Sequence, residues 1–212
     1  RVDIMTALVS FDRVFEILDL KNPISDPKNP KSLPAGGLAI SLKNVSLNYS
    51  QSQSFLPTLT TKEDLNVVED STSLSAVELE ILAGTTVAIV GPSGAGKTSL
   101  TALISRLYDA TSGEVLVGGV NVKDLSLQDL RSEIGVVSQD PHLFHDTIEN
   151  NLRLVKPNAS EQEIMQAISS AQLSDFVNSL PAGIATVVGD RGHRLSGGEK
   201  QRLAIARVFL KS

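Results

Sequence analysis

Regular spacing of apolar residues at the start of the chain predicts a helix. The intervals alternate between four and three residues, which places the apolar side chains on one side of a helix; the positions are Ile4, Leu8, Phe11, Phe15 and Leu18. Residues 22–37 are polar and contain four prolines, a composition typical of an extended linker. We therefore expect residues 1–37 to be a helix and a linker, followed by a domain that occupies residues 38–212.

Short apolar runs, several of them rich in β-branched residues, predict strands within that domain. They lie at 38–45, 86–90, 114–117 and 134–137, and the run at 86–90 is typical of a buried strand. Residues 50–73 are polar, rich in turn formers and without a clear period. We interpret them as a surface loop or an insert, with order resuming at Leu74.

Helical spacing returns after residue 96. The apolar positions that would share one face of this helix are Leu100, Leu103, Ile104 and Leu107. Residues 160–171 form a second predicted helix, in which Ser160 and Glu163 have the spacing of a capping box. A last helix is expected from Gly197 to the end of the chain.

Composition narrows the classes of function. The net charge of −5 and the pI near 5.2 argue against a sequence-independent nucleic-acid binder. Cysteine is absent, so the chain has neither a disulfide framework nor a cysteine metal site. No apolar run approaches the roughly 18 residues that cross a bilayer. The chain starts at Arg1 without an initiator Met, and we expect both ends to be cuts within a longer chain.

The strongest motif is a glycine-rich loop between a predicted strand and a predicted helix. It reads Gly91-Pro92-Ser93-Gly94-Ala95-Gly96-Lys97-Thr98, with Ser99 directly after it. Glycines let several backbone N–H groups point into one concavity, and the helix N-terminus favours an anion there. Lys97 would reach the outer phosphates and Thr98 would ligate Mg²⁺. The loop predicts nucleotide binding, but alone it does not choose between ATP and GTP, or between kinase, GTPase and motor.

A second motif, Leu195-Ser196-Gly197-Gly198-Glu199, opens the last predicted helix. Ser196 and Glu199 would form a capping box. Two glycines in a first turn are a poor choice for stability alone, since each costs up to about 1 kcal/mol relative to Ala. Exposed N–H groups at a helix start are an anion site. Two helix N-termini that can each bind a phosphate suggest two surfaces that meet around one nucleotide.

With this motif the sequence resembles the ATP-binding-cassette (ABC) family. Residues 188–202 look like its signature region, with Glu199 where Gln is commoner, a substitution often seen in exporters. Residues 189–192 look like the exporter loop that contacts the transmembrane domains. His193 precedes the signature, so it does not correspond to the family's switch histidine.

Three further positions carry the same resemblance. Gln139 matches the family's glutamine that joins Mg²⁺ and the attacking water to the membrane part, and residues 141–150 resemble the exporter segment that follows. Tyr49 corresponds to the aromatic residue that stacks on adenine, although the insert at 50–73 is longer than the family pattern predicts; the alternative is an ordinary tyrosine at a strand end. Residues 11–19 are similar to the helix that joins the last membrane span to the motor domain.

The resemblance implies an α/β fold, a P-loop NTPase (RecA-like) core with an ABC-type β subdomain and a helical signature subdomain at about 140–196. It implies ATP and Mg²⁺ as cofactors, with Lys97 and Gln139 as catalytic residues and Thr98 and Gln139 as metal ligands. The implied partners are a second nucleotide-binding domain, arranged head to tail, and transmembrane domains, with this domain on the cytoplasmic face of a membrane. No nucleic-acid partner is expected.

The family's Asp-Glu strand and switch histidine would lie beyond Ser212, so we expect the fold to be C-terminally incomplete and these residues alone to be inactive. Two alternatives remain open. One is a soluble ABC ATPase of DNA repair or translation, which the linker helix and residues 189–192 argue against. The other is a non-catalytic nucleotide-sensing module, favoured if the natural chain ends at Ser212.

Overall fold

The computed structural model describes residues 11, 14–15, 18–19, 22, 24–49, 72–189 and 195–211. They belong to two compact units, 1–130 and 131–212. The predicted insert lies outside the described residues except for Thr72 and Ser73, which begin a strand. The predictions for 190–194, His193 among them, also fall outside.

The first unit is built on an antiparallel sheet. In chain order its strands are β1 (Ile40–Asn48), β2 (Thr72–Ile81), β3 (Ser112–Val117) and β4 (Val120–Asn121). The sheet order is β2-β1-β3-β4, and Ile40 lies between Ile81 and Val117 in the register. Leu42, Val45 and Leu47 are buried; Val45 and Leu47 follow the two-residue period of a half-buried strand, and a register shift between Leu42 and Val45 interrupts it. The strands predicted near 38–45 and 114–117 are therefore confirmed.

Helix α1 (Lys97–Ile104) follows the glycine-rich loop. Leu100 and Leu103 are buried as the spacing predicts, but Leu107 is 57% exposed and lies outside the helix. The helix ends because the Ser105 hydroxyl donates to the Thr101 carbonyl, at 3.1 Å, and Arg106 takes a φ of 49°. The prediction for Leu107 was wrong.

The proline-rich segment, where the structure describes it, is irregular apart from a β-bridge between Lys31 and Leu125, and it is bonded to other parts of the first unit. It contacts a 3₁₀ turn (Val122–Asp124) and the start of helix α2 (Leu127–Glu133). The Asp26 carboxylate accepts from the Leu127 N–H at 2.7 Å, and Lys31 pairs with Asp124 at 2.8 Å. The boundary at residue 37 stays a prediction. Of the predicted N-terminal helix, the described residues 11, 14–15 and 18 are helical, and their side chains are exposed.

Two predicted strands do not form. Residues 86–90 and 134–137 pair with no strand among the described residues, and Val90 and Val136 are 86% and 67% exposed. A β-branched run has strand propensity, but a strand also needs a neighbour that completes its hydrogen-bond ladder. The predictions of strands at 86–90 and 134–137, and of burial at 86–90, were wrong for this structure.

The second unit is a helical cluster with a small ladder. It contains β5 (Asp146–Thr147), α3 (Ile148–Arg153), α4 (Glu161–Ser170), α5 (Ser174–Ser179), a 3₁₀ turn (Gly183–Ala185), β6 (Val187–Val188) and α6 (Gly197–Lys211). The strands β5 and β6 pair antiparallel. The core includes Ile148, Leu152, Ile164, Ile168 and Leu203, which are fully buried. The predicted helices at 160–171 and from Gly197 are confirmed.

Candidate nucleotide-binding site

The glycine-rich loop turns into α1 at Gly96. This residue is the N-cap of the helix, with a φ of 83°, a value that side chains disfavour. A Cβ there would lie 2.6 Å from Cδ2 of Leu74 and 2.7 Å from the Ser73 carbonyl oxygen. Both the backbone angle and the close approach of β2 therefore require glycine at this position.

Lys97 folds back across the loop that precedes it. Its Nζ donates to the carbonyl oxygens of Gly91, at 2.9 Å, and Pro92, at 2.6 Å. The N–H of Ala95 donates to the same Pro92 carbonyl at 3.3 Å. The ammonium group thus lies against the loop, and its present acceptors are neutral carbonyls that anionic phosphate oxygens would outcompete.

The start of α1 has the electrostatics of an anion site. No side chain caps Gly96, and the first turn contains no acidic residue, so the helix dipole at this end is not offset by a carboxylate. Thr98 is exposed beside Lys97. No group of three or more His, Cys, Asp or Glu in the described part of the chain could hold a metal by itself. Mg²⁺ at nucleotide sites takes most of its oxygen ligands from phosphates and water, so the single hydroxyl of Thr98 fits as a protein ligand there.

Tyr49 lies next to α1, with its hydroxyl on Ser99. The hydroxyl donates to the Ser99 Oγ at 2.9 Å, and the Ser99 Oγ lies 2.7 Å from the Ser73 Oγ. The ring makes an edge-to-face contact with Tyr108, at a centroid distance of 4.9 Å. Helix α1 and Tyr49 therefore lie together. The stacking of Tyr49 on adenine stays a prediction. The role of Ser99 in nucleotide binding also stays a prediction, because its buried hydroxyl bonds to protein partners in this structure.

The second motif forms the predicted capping box. The Ser196 N–H donates to a Glu199 carboxylate oxygen at 2.7 Å, and the Glu199 N–H donates to the Ser196 Oγ at 3.3 Å. Leu195 is buried beneath this turn. A Cβ on Gly197 would meet nothing within 4 Å, and one on Gly198 only the Arg202 guanidinium at 3.7 Å. Neither glycine has a positive φ, so packing within the unit does not explain either of them.

Gln139 lies beside α6. Its backbone carbonyl accepts from Gln201 Nε2 at 3.3 Å, and the residue is exposed. Within the second unit Gln139 is therefore held close to α6, the helix that begins with the second motif. The role of the Gln139 side chain stays a prediction. Arg207, also on α6, has its pKa lowered by burial. Sequence reasoning missed Arg207 and its contacts, because no local pattern marks them.

Within the part of the chain that the structure covers, no helix is both long and apolar enough to cross a membrane.

Comparison with protein families identifies a matching family over most of the chain. The profile described as "ABC transporter" matches residues 74–212, which include the glycine-rich loop, Gln139 and the signature motif. The profile match covers more than half of the chain.

Curated relatives belong to the same group. The chain is 40% identical over 207 residues to an uncharacterised ABC transporter ATP-binding protein of Bacillus subtilis, covering 97% of this chain and 32% of the relative. It is 39% identical to an ATP-dependent lipid A-core flippase of Syntrophus aciditrophicus, covering 99% and 32%. It is also 39% identical to a mitochondrial iron-sulfur clusters transporter of Kluyveromyces lactis, covering 99% and 27%. The chain thus spans about a third of the length of these relatives.

A solved structure gives the same result. The chain superposes on a bacterial Atm1-family ABC exporter with ATP bound, with a TM-score of 0.81 and 34% identity, over 99% of this chain and 34% of the exporter. The α/β P-loop NTPase fold predicted from the sequence is confirmed.

Proposed function

The chain belongs to the ABC transporter family, and we propose that it forms the ATP-binding and hydrolysing motor domain of an exporter. The observation that carries the proposal is the loop at 91–98: Gly96 is required by sterics and Lys97 lies against the loop carbonyls. The similarity to exporters and to a flippase supports transport across a membrane as the work that ATP drives.

Each residue of the loop has a distinct role in this proposal. Lys97 exchanges the Gly91 and Pro92 carbonyls for the outer phosphate oxygens of ATP, and the backbone N–H groups of 93–98 hold the inner ones. Thr98 and Gln139 would hold Mg²⁺, which when bound neutralises charge on the phosphates. Tyr49 would stack on adenine. Phosphoryl transfer depends chiefly on such positioning and charge stabilisation.

In this proposal the start of α6 binds the nucleotide that is held by a second copy of the domain. Residues 196–199 would close on the γ-phosphate held by the 91–98 loop of a partner domain, in a head-to-tail pair. Gly197 and Gly198 leave room for that approach, since no atom of their own unit requires them to lack a side chain. The pair would act on transmembrane domains from the cytoplasmic face of the membrane.

Residues 1–212 by themselves would bind nucleotide without useful turnover. No Asp or Glu follows Glu199 in the sequence, and a general base contributes about 10²–10⁴-fold. Val87 and Ile89 are 46% and 41% exposed, and exposed apolar side chains that lie together invite aggregation. A 212-residue polypeptide with a sharp unfolding transition and Lys97-dependent ATPase activity would contradict this part of the proposal.

Calorimetry on the full-length protein tests the nucleotide site. Lys97→Ala should weaken ATP binding about 100-fold, the loss expected when a charged hydrogen-bond donor contributes roughly 3 kcal/mol. Lys43→Ala is the matched control, because Lys43 is an exposed lysine of the same unit on β1. Unchanged ATP binding in a folded Lys97→Ala protein would overturn the assignment of the phosphate site.

A further inference from the structure

Arg207 lies in the middle of α6 and holds two separate segments of the second unit. Its Nε donates to the Asn151 carbonyl at 2.9 Å and one terminal nitrogen donates to the Asn151 Oδ1 at 2.8 Å. The other terminal nitrogen donates to the His142 carbonyl at 2.8 Å. One guanidinium therefore joins α3 to the stretch of chain that begins with Gln139. The planar fork of arginine makes these bonds at fixed angles, which lysine does not reproduce.

Asn151 is fully buried and holds the other side of the same stretch. Its Oδ1 accepts from the Phe144 N–H at 3.0 Å, and its Nδ2 donates to the carbonyls of Phe144, at 3.0 Å, and Thr147, at 2.9 Å. Together, Asn151 and Arg207 fix both ends of residues 142–147. A buried network in which every polar atom has a partner favours one backbone arrangement.

Two further side chains of α6 hold the chain before and at Gln139. Gln201 donates to the Gln139 carbonyl at 3.3 Å. Lys211 donates to the carbonyls of Arg131 and Ile134, the latter at 2.7 Å. With Arg207, these residues lie within about 120° of the circumference of α6. Residues 134–138 are in no strand of the described structure, and these bonds hold the backbone at Ile134 and at Gln139, on either side of residues 135–138.

We propose that Arg207, held by Asn151, is a positioning residue that fixes the segment carrying Gln139 against the signature helix. This inference rests on the proposed function, because it assigns Arg207 an effect on ATP hydrolysis through Gln139. When the start of α6 meets a nucleotide, the segment at 139–147 moves with α6 as one body. Arg207 itself touches neither nucleotide nor metal.

The test is a double-mutant cycle on the ATPase activity of the full-length protein. Arg207→Lys and Gln139→Ala should each lower kcat about tenfold or more, with the KM for ATP within about twofold of wild type, because Lys97 and its loop are unchanged. The double variant should be no slower than Gln139→Ala alone, since the two residues act through one arrangement. Asn150→Ala is the matched control: the exposed side chain of Asn150 donates to the Asp146 carboxylate, and alanine keeps the backbone N–H that donates to the Thr147 Oγ1.

The possible outcomes distinguish a failure of this inference from a failure of the proposed function. The positioning role would be overturned if the decreases in kcat of the two single variants multiplied in the double variant, or if Arg207→Lys left kcat unchanged. Turnover that persists in Lys97→Ala would instead overturn the proposed function. If Arg207→Lys does not fold, Asn151→Ser replaces it in the same cycle, since it removes the amide oxygen that accepts from Arg207 and keeps the Asn151 backbone carbonyl. If neither variant folds, the pair is only a folding determinant and the inference is wrong.

Discussion

Two helices of the second unit begin with the same cap but differ in the residues inside it. Ser160 directly precedes helix α4 and Ser196 directly precedes α6, and in both the serine and a glutamate three residues later form a capping box. The cap of α4 encloses Glu161 and Gln162, which are good helix formers. The cap of α6 encloses two glycines, which are not.

The difference separates stability from function. The cap at α4 is explained by helix stability alone, since every residue of its first turn favours a helix. At α6 the cap has the same hydrogen bonds, yet a Cβ on Gly197 would meet nothing within 4 Å and one on Gly198 only the Arg202 guanidinium at 3.7 Å. The glycines lower stability without relieving any clash within the unit. We therefore attribute them to a partner that approaches from outside, and α4 serves as the internal control for each test of this idea.

The largest expected effect comes from placing arginine at each cap. Ser196→Arg in the full-length protein should leave ATP binding unchanged and lower turnover about 100-fold or more, because the side chain fills the space that the partner's phosphate would enter. Ser160→Arg removes an equivalent cap, at a cost of roughly 1 kcal/mol, and should leave turnover per folded protein unchanged. ATPase rates and calorimetry on both variants give the comparison. Equal ATPase rates in the two variants would reduce Ser196 to a helix cap.

A smaller effect is expected when alanine replaces the glycines. Gly197→Ala and Gly198→Ala should raise the free energy of unfolding by up to about 1 kcal/mol each, since neither φ is positive and the Cβ meets no close atom. Turnover should fall about tenfold, because an added methyl group displaces the reacting groups. Chemical denaturation and ATPase assays measure the two effects. A variant that gains stability and keeps full activity would show that the glycines have no role in catalysis.

The smallest effect concerns pH at the α4 cap. The pKa of Glu163 is lowered from 4.5 to about 2, first by the hydrogen bond from Lys156 and then by those from Ser160. Because the folded pKa is the lower one, the stabilisation is present above pH 4.5 and is lost as the pH falls towards 2. Wild type should therefore unfold at a slightly higher temperature than Glu163→Gln at pH 6, and the gap should close on acidification. A gap that stays constant down to pH 2 would contradict this account of the ion pair.

The sequence predicted those features whose signals are local. The capping boxes at Ser160 and Ser196 depend on residues three positions apart, and the turn at Gly96 depends on glycine itself. The predictions of strands at 86–90 and 134–137 were wrong because a strand forms only beside a neighbouring strand, which no local pattern specifies. The contacts of Tyr49 with Ser99 and of Arg207 with Asn151 join distant parts of the chain. Single-sequence patterns carry no information on such contacts.

The central claim is that the 91–98 loop of one subunit and the 196–199 start of another form one site. It is tested most directly by nucleotide occlusion in pairs of differently tagged full-length subunits. When one subunit carries Lys97→Ala and the other carries Ser196→Arg, a head-to-tail pair retains one intact site and should occlude ATP. When one subunit carries both substitutions and the other is wild type, both sites are damaged and occlusion should be lost. Occlusion in the second pair and none in the first would show that each subunit completes its own site, and would contradict the account.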